Sequence, residues 1–343
     1  MATQMSTVPI ATGKAARASL AGHVEIARFD HWVKNVFVLP GIVAAIALDH
    51  AAINLHLIEN VLIGLVAIGL IASSNYILNE VMDAPFDSFH PLKRTRPVPS
   101  GRVNIPLAYL QWIAFAAAGI SLGWMISRLF VITLLALWAM GCIYNIPPVR
   151  SKDVPYLDVL TEAINNPIRL LAGWFMVSTV TSAPGSLLLS YWMVGCYFMA
   201  LKRYAEYLRL KEGGQLGQYR KSLAYFTSEG LMVSVMFYGS SAMLFFGAFL
   251  MRYRLELVLS FPFVALVMAI YLSLGFKRDS AVEHPEKLYR ERDLMGAVIL
   301  CALVMTLCFL VDMPKLYKIL TPTAPISRAN APIHSAGGPA PLQ

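Results

Sequence analysis

Three side chains with oxygen ligands follow one another at four-residue intervals in the segment NEVMDAPFD. Asn79, Asp83 and Asp87 occupy positions i, i+4 and i+8, so on a helix they would lie along one face. Pro85 predicts that the helix loses its regularity before Asp87. Mg²⁺ usually takes one or two carboxylates and completes its shell with water and substrate phosphates. The segment therefore predicts a magnesium site.

A basic tract, HPLKRTRP, follows this acidic segment at once. Its Lys93, Arg94 and Arg96 could bind phosphate oxygens, the two guanidinium groups in bidentate fashion. The alternative is a solvated loop whose basic residues hold the topology beside anionic lipid. Asn and Asp side chains at regular spacing at a membrane edge are rare, which favours the phosphate-binding interpretation.

A second charged segment is YNIPPVRSKDVPYLDVLTEAINNPIRLLAGW. Asp158 and Glu162 are four residues apart, and Arg169 follows about two turns later inside an apolar run. An Arg in such a run usually faces a polar cavity or a paired acid, so an Arg169–Glu162 ion pair and a phosphate-facing Arg169 both stay open. Tyr144 and Lys152 are candidates for substrate contact, with anchoring at the membrane interface as the alternative.

A third charged segment is LKRYAEYLRLKEGGQLGQYRKSLAYF. Lys202, Arg203 and Glu206 stand at the end of an apolar run. Glu206 follows Lys202 by four residues, the weaker orientation for a helical ion pair, which leaves Glu206 available to a metal. Tyr219 and Arg220 belong to a glycine-containing loop that could fold over a bound phosphate, or could be a flexible connector.

A fourth segment, RFDHWVKN, precedes the first long apolar run. Trp32 is typical of an interfacial anchor. Lys34 and Asn35 stand where a substrate headgroup would enter, with membrane anchoring as an equal alternative.

The composition indicates which elements position these residues. The chain is 57% hydrophobic and only 14% charged, whereas soluble domains carry about 25% charged residues. Apolar runs of about 20 residues, the length that crosses a bilayer, recur along it. We predict an all-α polytopic membrane protein, with a single transmembrane domain over residues 21–318 and disordered tails at 1–20 and 319–343. About nine spans are predicted: 34–52, 57–79, 104–124, 129–146, 157–178, 185–205, 228–250, 255–276 and 293–312.

The basic residues predict the orientation. Most of the 28 Lys and Arg residues fall on the same side of the predicted spans as the amino terminus. The positive-inside rule places this side in the cytoplasm, and we expect a bacterial inner (plasma) membrane. No nucleic-acid partner is predicted, and the oligomeric state is left open.

Taken together, these segments resemble the UbiA superfamily of intramembrane prenyltransferases, over almost the whole chain. NEVMDAPFD matches the first aspartate-rich signature of that superfamily, with Glu80 where Asp is usual, and HPLKRTRPVPSG follows as is typical. The second signature usually holds two Asp, and here KRYAE offers Glu206 alone. RFDHWVKN, IRLLAG and KRYAE are similar to the decaprenyl-phosphate phosphoribosyltransferase branch, although PPVRSKDVPYLD lacks the Leu-Lys that is usual in that loop.

The resemblance implies nine helices around a central cavity that opens to lipid. It also implies Mg²⁺ as cofactor, held by Asn79, Asp83 and Asp87, with Glu206 at the position of the second signature. Diphosphate would leave a carbon that becomes cationic. Asp83 and Asp87 would act with Lys202, Arg203 and Arg169 as the catalytic residues.

Three functions remain as hypotheses. The density of basic residues favours transfer of 5-phosphoribosyl from phosphoribosyl diphosphate to a polyprenyl phosphate, because such a site must hold several phosphate groups. The alternative is prenyl transfer from a polyprenyl diphosphate to an aromatic or other small acceptor. A transporter or lipid-binding protein is third, since the acidic residues cluster at one interface and not at the membrane midplane.

Overall fold

The computed structural model describes residues 17–88, 93–212, 221–277, 280–283 and 285–320, and within these ranges it contains helices and no strand. The predicted tails and the candidates Tyr219 and Arg220 lie outside these ranges or at their edges. The α-helices are α1 (Leu20–Glu25), α2 (Leu39–Asp49), α3 (Leu55–Asp87), α4 (Ile105–Trp124), α5 (Arg128–Asn145), α6 (Leu157–Ala163), α7 (Asn165–Val177), α8 (Gly185–Glu212), α9 (Ser228–Tyr253), α10 (Phe261–Gly275), α11 (Arg292–Leu310) and α12 (Pro314–Leu320).

Short 3₁₀ segments connect several of these helices. Phe29–Val38 leads from α1 into α2, and Leu255–Ser260 leads into α10. Smaller ones occur at Lys93–Thr95, Ser151–Asp153, Lys221–Tyr225, Ala281–Glu283 and Pro285–Arg290.

Seven helical segments of the described chain are long and apolar enough to cross a membrane. They are Leu20–Asp49, Leu55–Asp87, Ile105–Trp124, Arg128–Asn145, Ser228–Tyr253, Leu255–Gly275 and Arg292–Leu310. All nine predicted segments are helical, but 157–178 and 185–205 do not meet this criterion. The first is divided into α6 and α7, each shorter than the roughly 20 residues of a span. The second segment belongs to α8, which is long enough, but its polar residues lower the mean hydropathy below that of a membrane span.

Side-chain caps define where the long helices begin. Asn54 accepts a hydrogen bond from the Leu57 backbone N–H at the start of α3, and Asn104 and Ser127 cap α4 and α5 in the same way. Such caps satisfy backbone donors that have no partner within the helix.

The two largest of five apolar clusters in the described chain hold most of the helices together. The first joins α2, α3, α5 and α7 around Ile68, Leu134 and Leu170, and the second joins α8 to α9, α10 and α11 around Tyr197 and Val235.

Two glycines bring α2 and α7 close together in the first core. A Cβ atom at Gly41 would lie against the Leu170 carbonyl, and one at Gly173 against the Val38 carbonyl. Small residues at helix contacts are typical of packing in membranes, where close backbone approach replaces the hydrophobic effect.

The long helix α3 carries the first acidic segment, and here one prediction is wrong. Pro85 does not end the regular helix, which continues to Asp87. Proline removes its own N–H from the helical ladder, but the pattern resumes at once, since the Ser88 N–H donates to the Ala84 carbonyl at 3.1 Å. The helix therefore continues for two residues past Pro85 before it ends.

Candidate active site

Asp83 is the centre of a charged cluster between α3 and the segment that follows α5. Its Oδ1 accepts a hydrogen bond from Arg150 Nη2 at 3.0 Å and another from Lys152 Nζ at 2.5 Å. Arg150 also donates through Nε to Asp153 at 3.0 Å. The carboxylate of Asp83 thus faces two cations and is 21% exposed.

Two amides extend this cluster. Asn145, the last residue of α5, accepts hydrogen bonds at Oδ1 from Asn79 Nδ2 and from Lys152 Nζ, both at 2.7 Å. Its own Nδ2 donates to the Gly141 carbonyl at 2.9 Å. We call these residues the Asp83 cluster: Asn79, Asp83, Asn145, Arg150 and Lys152.

Asp87 faces a different loop. It is buried, and its carboxylate contacts Arg96 Nη1 at 2.6 Å and Lys93 Nζ at 3.8 Å. Both cations belong to the basic tract after α3, so that tract folds back on the acidic residue next to it. Arg94 is exposed on the Lys93–Thr95 turn.

Glu80 is directed towards the basic loop. Its Oε1 accepts a hydrogen bond from the Val98 backbone N–H at 3.0 Å, and its Oε2 lies 3.9 Å from Arg28 Nε. Glu80 therefore braces the loop that carries Lys93 and Arg96.

A second ionic cluster joins α6 to α8. Arg203 donates through Nε to Asp158 and through Nη1 to Glu206, both at 2.7 Å. All three side chains are buried, and Asp158 is 0% exposed. Glu206 thus pairs with Arg203 three residues earlier, a partner that comparison with Lys202 alone did not predict. We call Asp158, Arg203 and Glu206 the Arg203 cluster.

Tyr144 lies beside the Asp83 cluster, with Lys152 Nζ 5.8 Å from the centre of its ring. Lys202 is next in the chain to Arg203. The charged groups that act on Lys202 are Glu206, Arg203, Glu162 and Lys34.

Arg169 belongs to the same polar interior. Its Nε is buried and has no hydrogen-bond partner among the described residues. The predicted alternative of an ion pair with Glu162 does not occur in the part of the chain that the structure describes. Arg169 and Glu162 both lie close enough to Tyr76 on α3 to interact with it electrostatically.

Two basic residues that precede α2 also lie close to the ring of Tyr76. Lys34 Nζ lies 5.8 Å and the Arg28 guanidinium carbon 5.9 Å from the centre of the Tyr76 ring. Asn35, the residue after Lys34, is buried. Its Oδ1 has no hydrogen-bond partner among the described residues.

Sequence reasoning missed Tyr76, Asn145 and Arg150. Tyr76 precedes Asn79 by one helical turn, so its position on the same face of α3 was a usable signal. Asn145 and Arg150 lie in YNIPPVR, beside residues that were singled out. Nothing in that segment indicates which of its polar residues turn towards α3.

A sequence model of the UbiA prenyltransferase family matches residues 37–294. The chain belongs to that family. It is a transferase and an integral membrane protein, and the resemblance seen in its sequence motifs is confirmed.

Several relatives and solved structures show how far the similarity extends. Decaprenyl-phosphate phosphoribosyltransferase of Mycobacterium tuberculosis is 31% identical over 211 residues, which cover 61% of this chain and 67% of that protein. The protein of the same name from Corynebacterium glutamicum is 30% identical over 216 residues, or 60% of each chain. A UbiA homolog from Archaeoglobus fulgidus, bound to GPP and Mg²⁺, has a TM-score of 0.64 at 20% identity, with 84% of this chain and 98% of that one covered.

The residues of this UbiA-family chain supply oxygen ligands for a divalent cation, but they supply only a few of them. Asn79 and Asp83 present an amide and a carboxylate on adjacent turns of α3, the hard oxygen donors that Mg²⁺ takes. Among the described residues, no three His, Cys, Asp or Glu side chains lie together as a metal site. A cation here would depend on Asn79 and Asp83, with water and substrate phosphates as the other ligands.

Proposed function

We propose that this UbiA-family protein is a Mg²⁺-dependent transferase that moves 5-phosphoribosyl from phosphoribosyl diphosphate to a polyprenyl phosphate, with diphosphate as the leaving group. The proposal rests on the number of cations around one polar interior and on the relatives named decaprenyl-phosphate phosphoribosyltransferase. The acceptor lipid would enter from the bilayer, and the donor from the aqueous side.

Arg169 carries the argument for a substrate rich in phosphate. Its buried Nε has no acceptor among the described residues, and a buried donor without a partner costs about 1–3 kcal/mol, more when it is charged. A phosphate oxygen would satisfy the guanidinium group in bidentate fashion. Lys202 and Lys34 would bind further phosphate groups, because Lys202 is next in the chain to Arg203 and Lys34 Nζ lies 5.8 Å from the centre of the Tyr76 ring.

The chemistry follows from this charge distribution. The C1–O bond of the donor ribose breaks as a phosphate oxygen of the lipid forms its bond to C1, and the electron pair leaves with diphosphate. The sugar carbon becomes cationic and the leaving group gains negative charge. Preorganised cations such as Lys152, Lys202 and Arg203 stabilise that charge without reorganisation during the reaction.

In this proposal the metal and the remaining candidate residues act at the diphosphate oxygens of the donor. Mg²⁺, when bound, neutralises negative charge on the diphosphate as a Lewis acid. Asn79 and Asp83 would hold it, and Asp87 and Glu206 would adjust the local charge through their Arg partners. The other residues proposed to bind substrate are Lys34, Asn35, Lys93, Arg94, Arg96, Tyr144, Lys152, Asp158, Glu162, Tyr219 and Arg220.

We further propose that α6–α7 and α8 complete nine crossings around a central cavity. Both clusters lie near the basic loops, and the positive-inside rule supports our proposal that they face the cytoplasm.

The test measures diphosphate release from the purified full chain in lipid nanodiscs, with mass spectrometry of the lipid product. We expect turnover with Mg²⁺, phosphoribosyl diphosphate and a polyprenyl phosphate, and none when the metal is chelated. Turnover only with a polyprenyl diphosphate and a hydroxybenzoate would replace the proposal with prenyl transfer to an aromatic acceptor. No turnover with either pair would contradict both.

A further inference from the structure

Asn145 is buried at the point where α5 ends and the segment with Arg150 and Lys152 begins. Its side chain makes three hydrogen bonds, to Gly141, Lys152 and Asn79. Asn145 lies in the second charged segment of the sequence but was not among its candidate residues, and two of its three partners belong to the Asp83 cluster.

The partners of Asn145 fix which end of its amide points where. A backbone carbonyl only accepts hydrogen bonds and an ammonium group only donates them. The Gly141 carbonyl at 2.9 Å therefore requires the Nδ2 of Asn145, and Lys152 Nζ at 2.7 Å requires its Oδ1. The orientation of this amide follows from chemistry and not from a choice between two similar atoms.

The orientation of Asn145 in turn fixes that of Asn79. Since Asn145 presents its oxygen to α3, Asn79 must donate its Nδ2, as it does at 2.7 Å. The Oδ1 of Asn79 is then directed away from Asn145, and it accepts no hydrogen bond from the described part of the chain. An amide oxygen can bind a cation, whereas an amide NH₂ group cannot, so this orientation decides whether Asn79 can serve as a ligand.

We propose that Asn145 is a positioning residue that holds the Asn79 amide with its oxygen available to the metal. This inference rests on the proposed metal role of Asn79 and Asp83. Without Asn145, nothing in the described contacts of Asn79 prevents its amide from rotating by half a turn, which would direct the NH₂ group at the cation. Partners of this kind typically change metal affinity by about tenfold or more.

Asn75 provides a matched control. It lies one turn before Asn79 on α3, and its Nδ2 donates to the Leu137 carbonyl of α5 at 2.9 Å. Asn75→Ala therefore removes a half-buried amide between the same two helices without touching Asn79. Both alanine variants should lower thermal stability, but only Asn145→Ala should lower metal affinity.

The experiment is a double-mutant cycle on the purified full chain, with Mn²⁺ and inorganic diphosphate as the probe and electron paramagnetic resonance as the readout. We expect Asn145→Ala to weaken Mn²⁺ binding about tenfold in the native background. In the Asn79→Ala background it should have little further effect, because its target is gone.

The outcomes separate the two proposals. No Mn²⁺ binding by the unmodified chain would contradict the metal site itself. Binding that Asn145→Ala leaves unchanged, or weakens equally with and without Asn79, would overturn the positioning role alone. Equal weakening by Asn75→Ala would also overturn it, since the effect would then come from the α3–α5 contact in general.

Discussion

The Asp83 cluster and the Arg203 cluster both pair carboxylates with cations, but they differ in where the cations come from. In the Asp83 cluster, Arg150 and Lys152 lie on the connection between α5 and α6, and Asp83 is 21% exposed. In the Arg203 cluster every member lies on a helix, and Arg203 is 3% exposed. The first arrangement can exchange a protein partner for a ligand, whereas the second holds two helices in register.

The Arg203 cluster should therefore give the larger loss of stability. Arg203→Met leaves Asp158 and Glu206 buried without their shared cation, and breaking a buried ion pair from one side costs about 3–5 kcal/mol. Thermal unfolding in detergent measures the loss. Lys211→Met on the same helix is the control, because Lys211 is exposed and we expect a loss below about 1 kcal/mol. Similar shifts for the two variants would show that the Arg203 cluster does not hold the helices.

The Asp83 cluster should give the larger loss of activity. Asp83→Asn keeps a hydrogen-bond acceptor for Arg150 and Lys152 but removes the charge that a cation needs. We expect diphosphate release to fall about a hundred- to a thousandfold, the scale of losing one preorganised electrostatic contact in a transition state, with the protein still folded.

Asp153→Asn is the matched control for Asp83→Asn. Asp153 contacts the other side of the same guanidinium group, at Arg150 Nε, and should change activity only slightly. Near-normal turnover of Asp83→Asn with unchanged metal dependence would remove Asp83 from the site.

The sequence predicts a contact in this site better when the two contacting residues are close together in the chain. Apolar runs predicted the helices well, because each helix is specified by its own residues. Asp87 and Arg96 are only nine residues apart, so their contact lies within one local segment of the chain. Asp83 is 67 and 69 residues from Arg150 and Lys152, and no local pattern specifies that packing of α5 against α3.

The partner of Glu206 shows the same limit. From the helical spacing alone, the only partner considered for Glu206 was Lys202, four residues earlier. The observed partner is Arg203, which is oriented by Asp158 from a different helix, 45 residues away in the chain. Tertiary contacts therefore decide which of two local pairs forms.

Lys152 sharpens the comparison, since it competes with a metal for Asp83. Both a cation and Lys152 Nζ require the oxygens of this carboxylate. Lys152→Met should raise the affinity for Mn²⁺ about fivefold, because two like charges about 4 Å apart repel by about 1 kcal/mol even in bulk water. Turnover should nevertheless fall, as the substrate loses a cation.

The measurement pairs Mn²⁺ titration with diphosphate release for Lys152→Met. Lys211→Met serves again as the control, since Lys211 is exposed and is not among the residues proposed to bind the metal or the substrate. Weaker Mn²⁺ binding in Lys152→Met would mean that Lys152 supports the site and does not compete with the metal.

Arg169 gives the smallest expected change in stability, because it belongs to neither cluster. No carboxylate of the described chain pairs with it, so Arg169→Met breaks no ion pair and removes a buried donor that lacks an acceptor. A buried donor without an acceptor destabilises the folded state, so its removal offsets the packing that is lost, and we expect the unfolding free energy to change by less than about 1 kcal/mol. The KM for the phosphorylated substrate should rise at least about tenfold, the equivalent of one lost charge-assisted hydrogen bond. A large loss of stability with an unchanged KM would instead assign Arg169 a structural partner and remove it from the substrate site.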